Sequence, residues 1–380
     1  MDLCGLSDCT GCFACMNVCP KGAITSTIDK YGKTIPCIDN QKCISCGQCR
    51  KVCPVLNPLQ LNKAKSSFAV WSRDEKDVRL SSSGGAASVF SKCVIKNSGV
   101  VYGCTSCEGT AKHIAVDTLE DIDRLRGSKY VQSDIGMVYR DVQAKLNDGK
   151  TVLFTGTPCQ IAGLKGYLGK EYVKLITIDL ICHGTPPISY LEEHIKSKVK
   201  NEHFDFFSFR GEYDWILTVS KKDKIIYKYK RDFDEYFLSF LDALTYRDNC
   251  YSCRYARPER VSDITVGDFW GIDRTTLKTP YKGRISVVLP NTDKGKAFFD
   301  RCKEGFIYEE RSFDEAANPT QGNLLHPSTP HQDRKIFLEN YLKDGFDKAV
   351  MKTGIGRVLI VNRFKRVKNM IKMQIKHFLA

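Results

Sequence analysis

The chain is predicted to be of mixed α+β and α/β class, with a small cysteine-rich module ahead of a larger α/β body and a basic amphipathic helix at the end. Three observations point there. Ten of the 18 cysteines fall within residues 1–53. From Phe68 onward short apolar runs alternate with helical patterns, as in a strand–helix sheet. Residues 351–380 hold eight basic residues and no acidic one. At 380 residues, 42% hydrophobic and 27% charged, the chain has room for two or three globular domains. No run reaches the roughly 18 apolar residues of a spanning helix. The opening Met1-Asp2-Leu3-Cys4-Gly5 has no basic or apolar stretch of a secretory signal. A cytoplasmic setting is expected, in which clustered thiols serve metal or catalysis rather than disulfides. Without the tail's eight charges the net +14 becomes +6, so no nucleic-acid partner is expected.

The first module (residues 1–62) repeats one spacing. Cys9-x2-Cys12-x2-Cys15-x3-Cys19-Pro20 returns as Cys43-x2-Cys46-x2-Cys49-x3-Cys53-Pro54. One such quartet arises by chance about 0.002 times in a chain this rich in cysteine. The spacing is that of two-cluster bacterial ferredoxins, in which each fourth cysteine serves the other cluster. That rule assigns Cys9, Cys12, Cys15 and Cys53 to one [4Fe-4S] cluster, and Cys43, Cys46, Cys49 and Cys19 to a second. Zinc sites instead separate their C-x2-C pairs by a longer spacer. Cys4 and Cys37 lie outside the pattern and are read as small apolar fillers. A module this short has little core of its own, so clusters must supply much of its stability.

Phe68–Trp71 is an opening strand, and Ser81-Ser-Ser-Gly84-Gly85 leads into a helix from Ala86. Such an entry suits a phosphate, although Ser-Gly turns also start helices for capping alone. Val100–Tyr102 and His113–Val116 are strands and Leu119–Leu125 a short helix. Thr151–Phe154 runs into Thr155-Gly-Thr-Pro-Cys159-Gln160 and Lys174–Ile181 into Cys182-His183-Gly184. A helical Phe233–Leu244 precedes Cys250-x2-Cys253, and Ser262 to Gly271 is a strand with a polar exit. Cys159, Cys182, Cys250 and Cys253 are enough for a third cluster, but spacing alone fits a zinc site or unrelated thiols equally, and Cys104-x2-Cys107 competes.

Ser83-Gly84-Gly85, Gly127-Ser128-Lys129-Tyr130, Thr157-Pro-Cys159-Gln160, Cys182-His-Gly, Cys250-x2-Cys253 and Asp263-x4-Asp268 follow one another at these intervals. Together they resemble the beta-subunit family of coenzyme F(420) hydrogenases and dehydrogenases, over residues 68 to about 315. The resemblance implies an α/β flavin- and iron–sulfur-binding domain in two parts, a flavin-phosphate region (66–145) and a part with the third cluster and flavin (146–315). It implies three [4Fe-4S] clusters in all, the third on Cys159, Cys182, Cys250 and Cys253, and FAD held by Ser83, Gly84, Gly85, Gly127, Ser128, Lys129, Tyr130, Thr157 and Asp268. Cys104 and Cys107 are then not ligands. The catalytic acid or base is unassigned, with His183 a candidate proton relay as well as a structural histidine. Trp270 is read as a core residue, with stacking near the flavin as the other reading, and Cys93 and Cys302 as packing residues. The function implied is an oxidoreductase that couples electron transfer through clusters to hydride chemistry at FAD, on a deazaflavin-like or other small-molecule substrate. Its partners would be a ferredoxin-level electron donor or acceptor and a partner oxidoreductase subunit. The alternative is a non-catalytic electron-transfer subunit wiring a partner oxidoreductase.

Residues 321–350 read as an irregular segment. In the tail (351–380), Ile360, Phe364, Val367, Ile371, Ile375 and Phe378 share one helical face, with Lys365, Lys368, Lys372 and Lys376 toward the other. Peripheral contact of 356–380 with the inner face of the membrane is expected, set against packing on the body or a second subunit.

Overall fold

The computed structural model describes residues 3–199, 203–211 and 214–378, without the side chains of 372 and 374–378. Eight strands form one sheet: β1 Ser67–Ser72, β2 Val100–Cys107, β3 Thr110–Val116, β4 Val152–Gly156, β5 Leu175–Leu180, β6 Ile264–Asp268, β7 Ser286–Pro290 and β8 Phe306–Arg311. Their order is β8-β1-β7-β6-β5-β4-β2-β3. The central β2, β4, β5 and β6 are parallel, and antiparallel strands extend both sides. Parallel strands are covered on both faces and so read as continuous apolar runs. Val152–Phe154 is such a run, and so is Leu175–Ile178 apart from Thr177, all of them buried. The sheet spans both parts of the body: β4 to β8 complete a sheet that β1 to β3 begin.

The parallel register brings the carboxyl ends of β4, β5 and β6 to one edge. A ligand site belongs at that edge of an open α/β sheet. Below it, the buried pair Arg260–Asp179 (3.1 Å) holds the segment after Cys253 against β5, and the same guanidinium donates to the carbonyls of Tyr255 and Leu180.

The first module has two short helices, Ala14–Val18 and Gln48–Lys51, and a hairpin, Ile24–Ile28 with Thr34–Ile38. Gly11 and Phe13 in the first repeat have positive φ (65° and 54°), and so do Ser45 and Gly47 in the second (53° and 74°). These are the same two steps after Cys9 and Cys43, so the repeated spacing becomes a repeated left-handed turn that curls the backbone round its thiols. The module shares a core with the body. Cys12, Ala14 and Val52 pack among Tyr139, Ile161, Leu164 and Tyr255.

Residues 334–351 are helical rather than irregular: Arg334–Asp344 and Phe346–Met351, with Phe337 and Phe346 buried. The prolines at 327 and 330 suggested a loop, but they end before the helices start. His194 links this region to the body, 2.6 Å from Asp347 and 3.1 Å from Asp234. Burial works against its charge, yet the two carboxylates raise its pKa to about 9. The tail is one helix, Gly354–Phe378, seated on the body through Ile355, Leu359 and the Arg363–Glu235 pair (2.8 Å). Among the described residues no helix is long and apolar enough to cross a membrane.

Candidate functional site

Three thiol quartets assemble. Cys9, Cys12, Cys15 and Cys53 line one cavity, and Cys19, Cys43, Cys46 and Cys49 line another. The fourth cysteine of each run thus sits with the other run. In the first quartet burial pushes Cys12 up to about 11, with Cys9 and Cys53 adding to it, and burial raises Cys15 further. Cys4 joins this cavity instead of filling a core. Its thiol meets Cys9 and Cys53, and its proton lowers both, to about 7 and about 6. Cys37 is exposed on the hairpin, so it is no filler either.

Cys159, Cys182, Cys250 and Cys253 come from four points along 95 residues of chain and meet at the sheet edge. Burial raises Cys159 to about 12 and raises Cys182 and Cys250 as well, and the thiols of the set add to one another. Two strand ends explain the meeting. Thr157 caps the helix Pro158–Leu168 right after β4, Cys182 follows β5, and the loop 248–253 closes over both. A crowded, desolvated set of four thiols ionises only beside compensating positive charge. All-sulfur donors of this kind fit a cluster of iron and sulfide. Thr157 belongs to this group, with Oγ1 3.2 Å from Cys159 Sγ. Cys104 and Cys107 end β2 beside Lys129 and Lys112 instead.

The first and third quartets are neighbours. Gly163 lies one helical turn after Cys159, and a Cβ there would stand 2.7 Å from Cys12 Cβ and 2.9 Å from its Sγ. Tyr139 and Tyr255 both feel the Cys12 and Cys159 thiols, so they line the same gap. Tyr139 donates to the carbonyl of Gln160 at 2.8 Å.

The residues expected to hold flavin gather along the same edge of the body. Ser83 donates to the carbonyl of Ile285 and accepts from Ser286. Gly84 has no room for a side chain, because a Cβ would lie 2.5 Å from the carbonyl of Val70. Gly85 (φ 88°) opens the helix Ala86–Lys96, whose first N–H groups receive no side-chain cap. Ser128 N–H donates to Ser82 at 2.7 Å, which ties the 127–130 loop to the 81–85 loop, and Gly127 faces open space. Lys129 turns inward to the carbonyls of Leu125 and Arg126, and burial lowers its pKa. Tyr130 and Asp268 meet at a residue the motifs did not include, Arg210, which donates to Tyr130 Oη (2.7 Å) and to Asp268 (2.9 Å). Burial raises Asp268, while Arg210 and Ser83 oppose it. The Arg210 guanidinium also lies 3.5 Å over the Trp215 ring. Trp270 is partly exposed beside Trp215, so it is a rim residue and not a core one. His183 stands on the same rim. Its surface is open, yet surrounding protein lowers its pKa while Asp268 raises it.

Residues 149–316 match the family model described as the C terminus of the beta subunit of coenzyme F(420) hydrogenase/dehydrogenase. Residues 8–57 match the 4Fe-4S dicluster domain. One of the subunits of the F(420)H(2) dehydrogenase of Methanosarcina mazei is 27% identical over 318 residues, covering 78% of this chain and 82% of that protein. A chain of the F(420)-reducing [NiFe] hydrogenase complex from Methanosarcina barkeri aligns at 16% identity and TM-score 0.44, over 76% of this chain and 91% of that one.

Proposed function

We propose that this protein is an iron–sulfur flavoprotein oxidoreductase, linking one-electron transfer through three [4Fe-4S] clusters to two-electron chemistry at FAD. The observation behind it is the contact of Cys12 with Gly163, which sets two thiol quartets side by side. Cys9, Cys12, Cys15 and Cys53 would hold the first cluster, Cys43, Cys46, Cys49 and Cys19 the second, and Cys159, Cys182, Cys250 and Cys253 the third. Flavin supplies the junction, since it exchanges a hydride with a substrate yet trades electrons singly with clusters. The chain's own residues orient and polarise. Arg210, fixed by Tyr130 and Asp268, presents a permanent positive charge at the sheet edge. His183, next to Cys182, is placed to move a proton at the rim. The exposed Cys46 puts the second quartet at the surface, where a ferredoxin-level donor or acceptor could meet it. The family description and the relative's name support a deazaflavin-like substrate, and that relative's being one subunit among several supports a partner oxidoreductase.

Anaerobically purified protein should hold about twelve irons and one FAD per chain, and reduce or oxidise a deazaflavin with a ferredoxin-type partner. Absent flavin, or far fewer irons, would overturn this function. Full cofactor content with turnover only after a partner subunit is added would instead identify an electron-transfer subunit.

The tail supports a further proposed contact, with the inner face of a membrane. Ile360, Phe364, Val367 and Ile371 lie exposed on one face, while Ile355 and Leu359 face the body. Lys365 and Lys368 flank that stripe with no acidic residue in the helix, which complements anionic lipid. The side chains of Lys372, Ile375, Lys376 and Phe378 lie outside the described residues. Sedimentation with anionic vesicles should be lost when the chain is stopped after Arg363, which spares the seated turns. Equal sedimentation of the two proteins would rule the contact out.

A further inference from the structure

Arg247 is 1% exposed, among the largest fully buried side chains of the protein. A guanidinium is always charged, and burying it without a partner costs several kcal/mol or more. Yet among the described residues no carboxylate pairs with it. The adjacent Asp248 is taken by Lys33 and Arg334. Arg247 donates only to neutral oxygens: the carbonyls of Cys9 (3.1 Å) and Thr34 (3.0 Å), Gln132 Oε1 (2.7 Å) and Asn249 Oδ1 (3.4 Å). Its position explains what could balance the charge. The backbone carbonyl of Arg247 accepts from Cys250 N–H, so the residue springs from the loop of the third quartet, while its side chain ends on the turn of the first. Its charge reaches the Cys9 and Cys250 thiols alike. Gly11 makes room for the crossing, since a Cβ there would sit 3.2 Å from Nη2 and 2.3 Å from Gln132 Nε2.

We infer that Arg247 is a positioning residue whose buried cation serves as shared counter-charge to the groups held by the first and third thiol quartets, and so raises the reduction potential of both. The inference rests on the proposed function, because it takes each quartet to hold an anionic cluster. Reduction adds negative charge, which a fixed cation favours. The second quartet, whose cavity is lined by none of these groups, provides an internal reference.

The test is an anaerobic redox titration of the full-length holoprotein followed by electron paramagnetic resonance. With Arg247→Gln, two of the three midpoint potentials should fall together while the third stays in place. Arg247→Lys keeps the charge and should leave all three near the parent values. Iron present with all three potentials unmoved in the glutamine variant overturns the inference, and so does a common shift of all three. If the glutamine variant does not retain its iron, the lysine variant decides. Parent-like potentials support the counter-charge, and a lowered pair despite the retained charge shows that packing is responsible instead. Parent protein without about twelve irons would be failure of the underlying function, a separate outcome.

Discussion

Replacing Cys182 with alanine should lower iron from about twelve to about eight atoms per chain and leave the signals of the N-terminal module intact. The two modules take their ligands from different stretches, residues 9–53 and residues 159–253, so loss in one need not spread to the other. Cys182 has no substitute nearby. The other thiols that influence its ionisation are Cys250, Cys159 and Cys253, the proposed ligands themselves, and Cys104 and Cys107 associate with lysines instead. Transfer from ferredoxin to the substrate should fall beyond the roughly 10–100-fold that losing a hydrogen-bond partner of a ligand costs. Flavin content should persist, because Ser83, Ser128 and Arg210 make none of their contacts through Cys182. Quantitation of iron and flavin on one sample checks it. A full complement of iron in the variant would mean that Cys182 holds nothing.

The double variant Gly163→Ala, Gly166→Ala should uncouple the ferredoxin module without emptying it. Alanine is worth about 1 kcal/mol more than glycine inside a helix, so the helix Pro158–Leu168 itself gains at both positions. The contacts oppose that gain. A Cβ on Gly163 would stand 2.7 Å from Cys12 Cβ, and one on Gly166 would stand 2.5 Å from the carbonyl of Val52. Neither a Cβ, fixed by its own backbone, nor a backbone carbonyl can rotate away from such overlap, and overpacking costs about 1–3 kcal/mol per site. The clash wins, and the module must move off the helix. Expected results are iron and flavin close to parent levels, slowed reoxidation of the first cluster through the third, and faster hydrogen exchange in residues 9–19 and 48–53. Unchanged electron transfer with both alanines in place would show that this seam does not set the distance between the quartets.

Some errors of the sequence reading share one cause. Cys4 looked like filler because it lies outside the repeated spacing, but the chain folds it back over Cys9 and Cys53. Trp270 looked like core because tryptophan is large and apolar, whereas the strand exit that carries it leaves the sheet for the rim. Arg210 and Arg247 are two of many basic residues, and nothing in their neighbours sets them apart except that Arg247 stands three residues before Cys250. The helices of 334–351 were hidden by the prolines before them. Each case turns on which surface a residue meets, and composition does not encode that.

Local chemistry was legible from the sequence by itself. Cysteines with two residues between them are brought together by the turns they flank, so the repeated run announced its two cavities, and the alternating apolar runs announced the strands. The third quartet was visible as four candidates but not as one site, because residues 159, 182, 250 and 253 are too far apart for local geometry to join. Only the parallel register of β4, β5 and β6 puts their ends on one edge, and only the close approach at Gly163 and the reach of Arg247 put that edge beside the ferredoxin module. Short-range spacing is a property of the backbone, whereas long-range convergence is a property of how the sheet and helices pack.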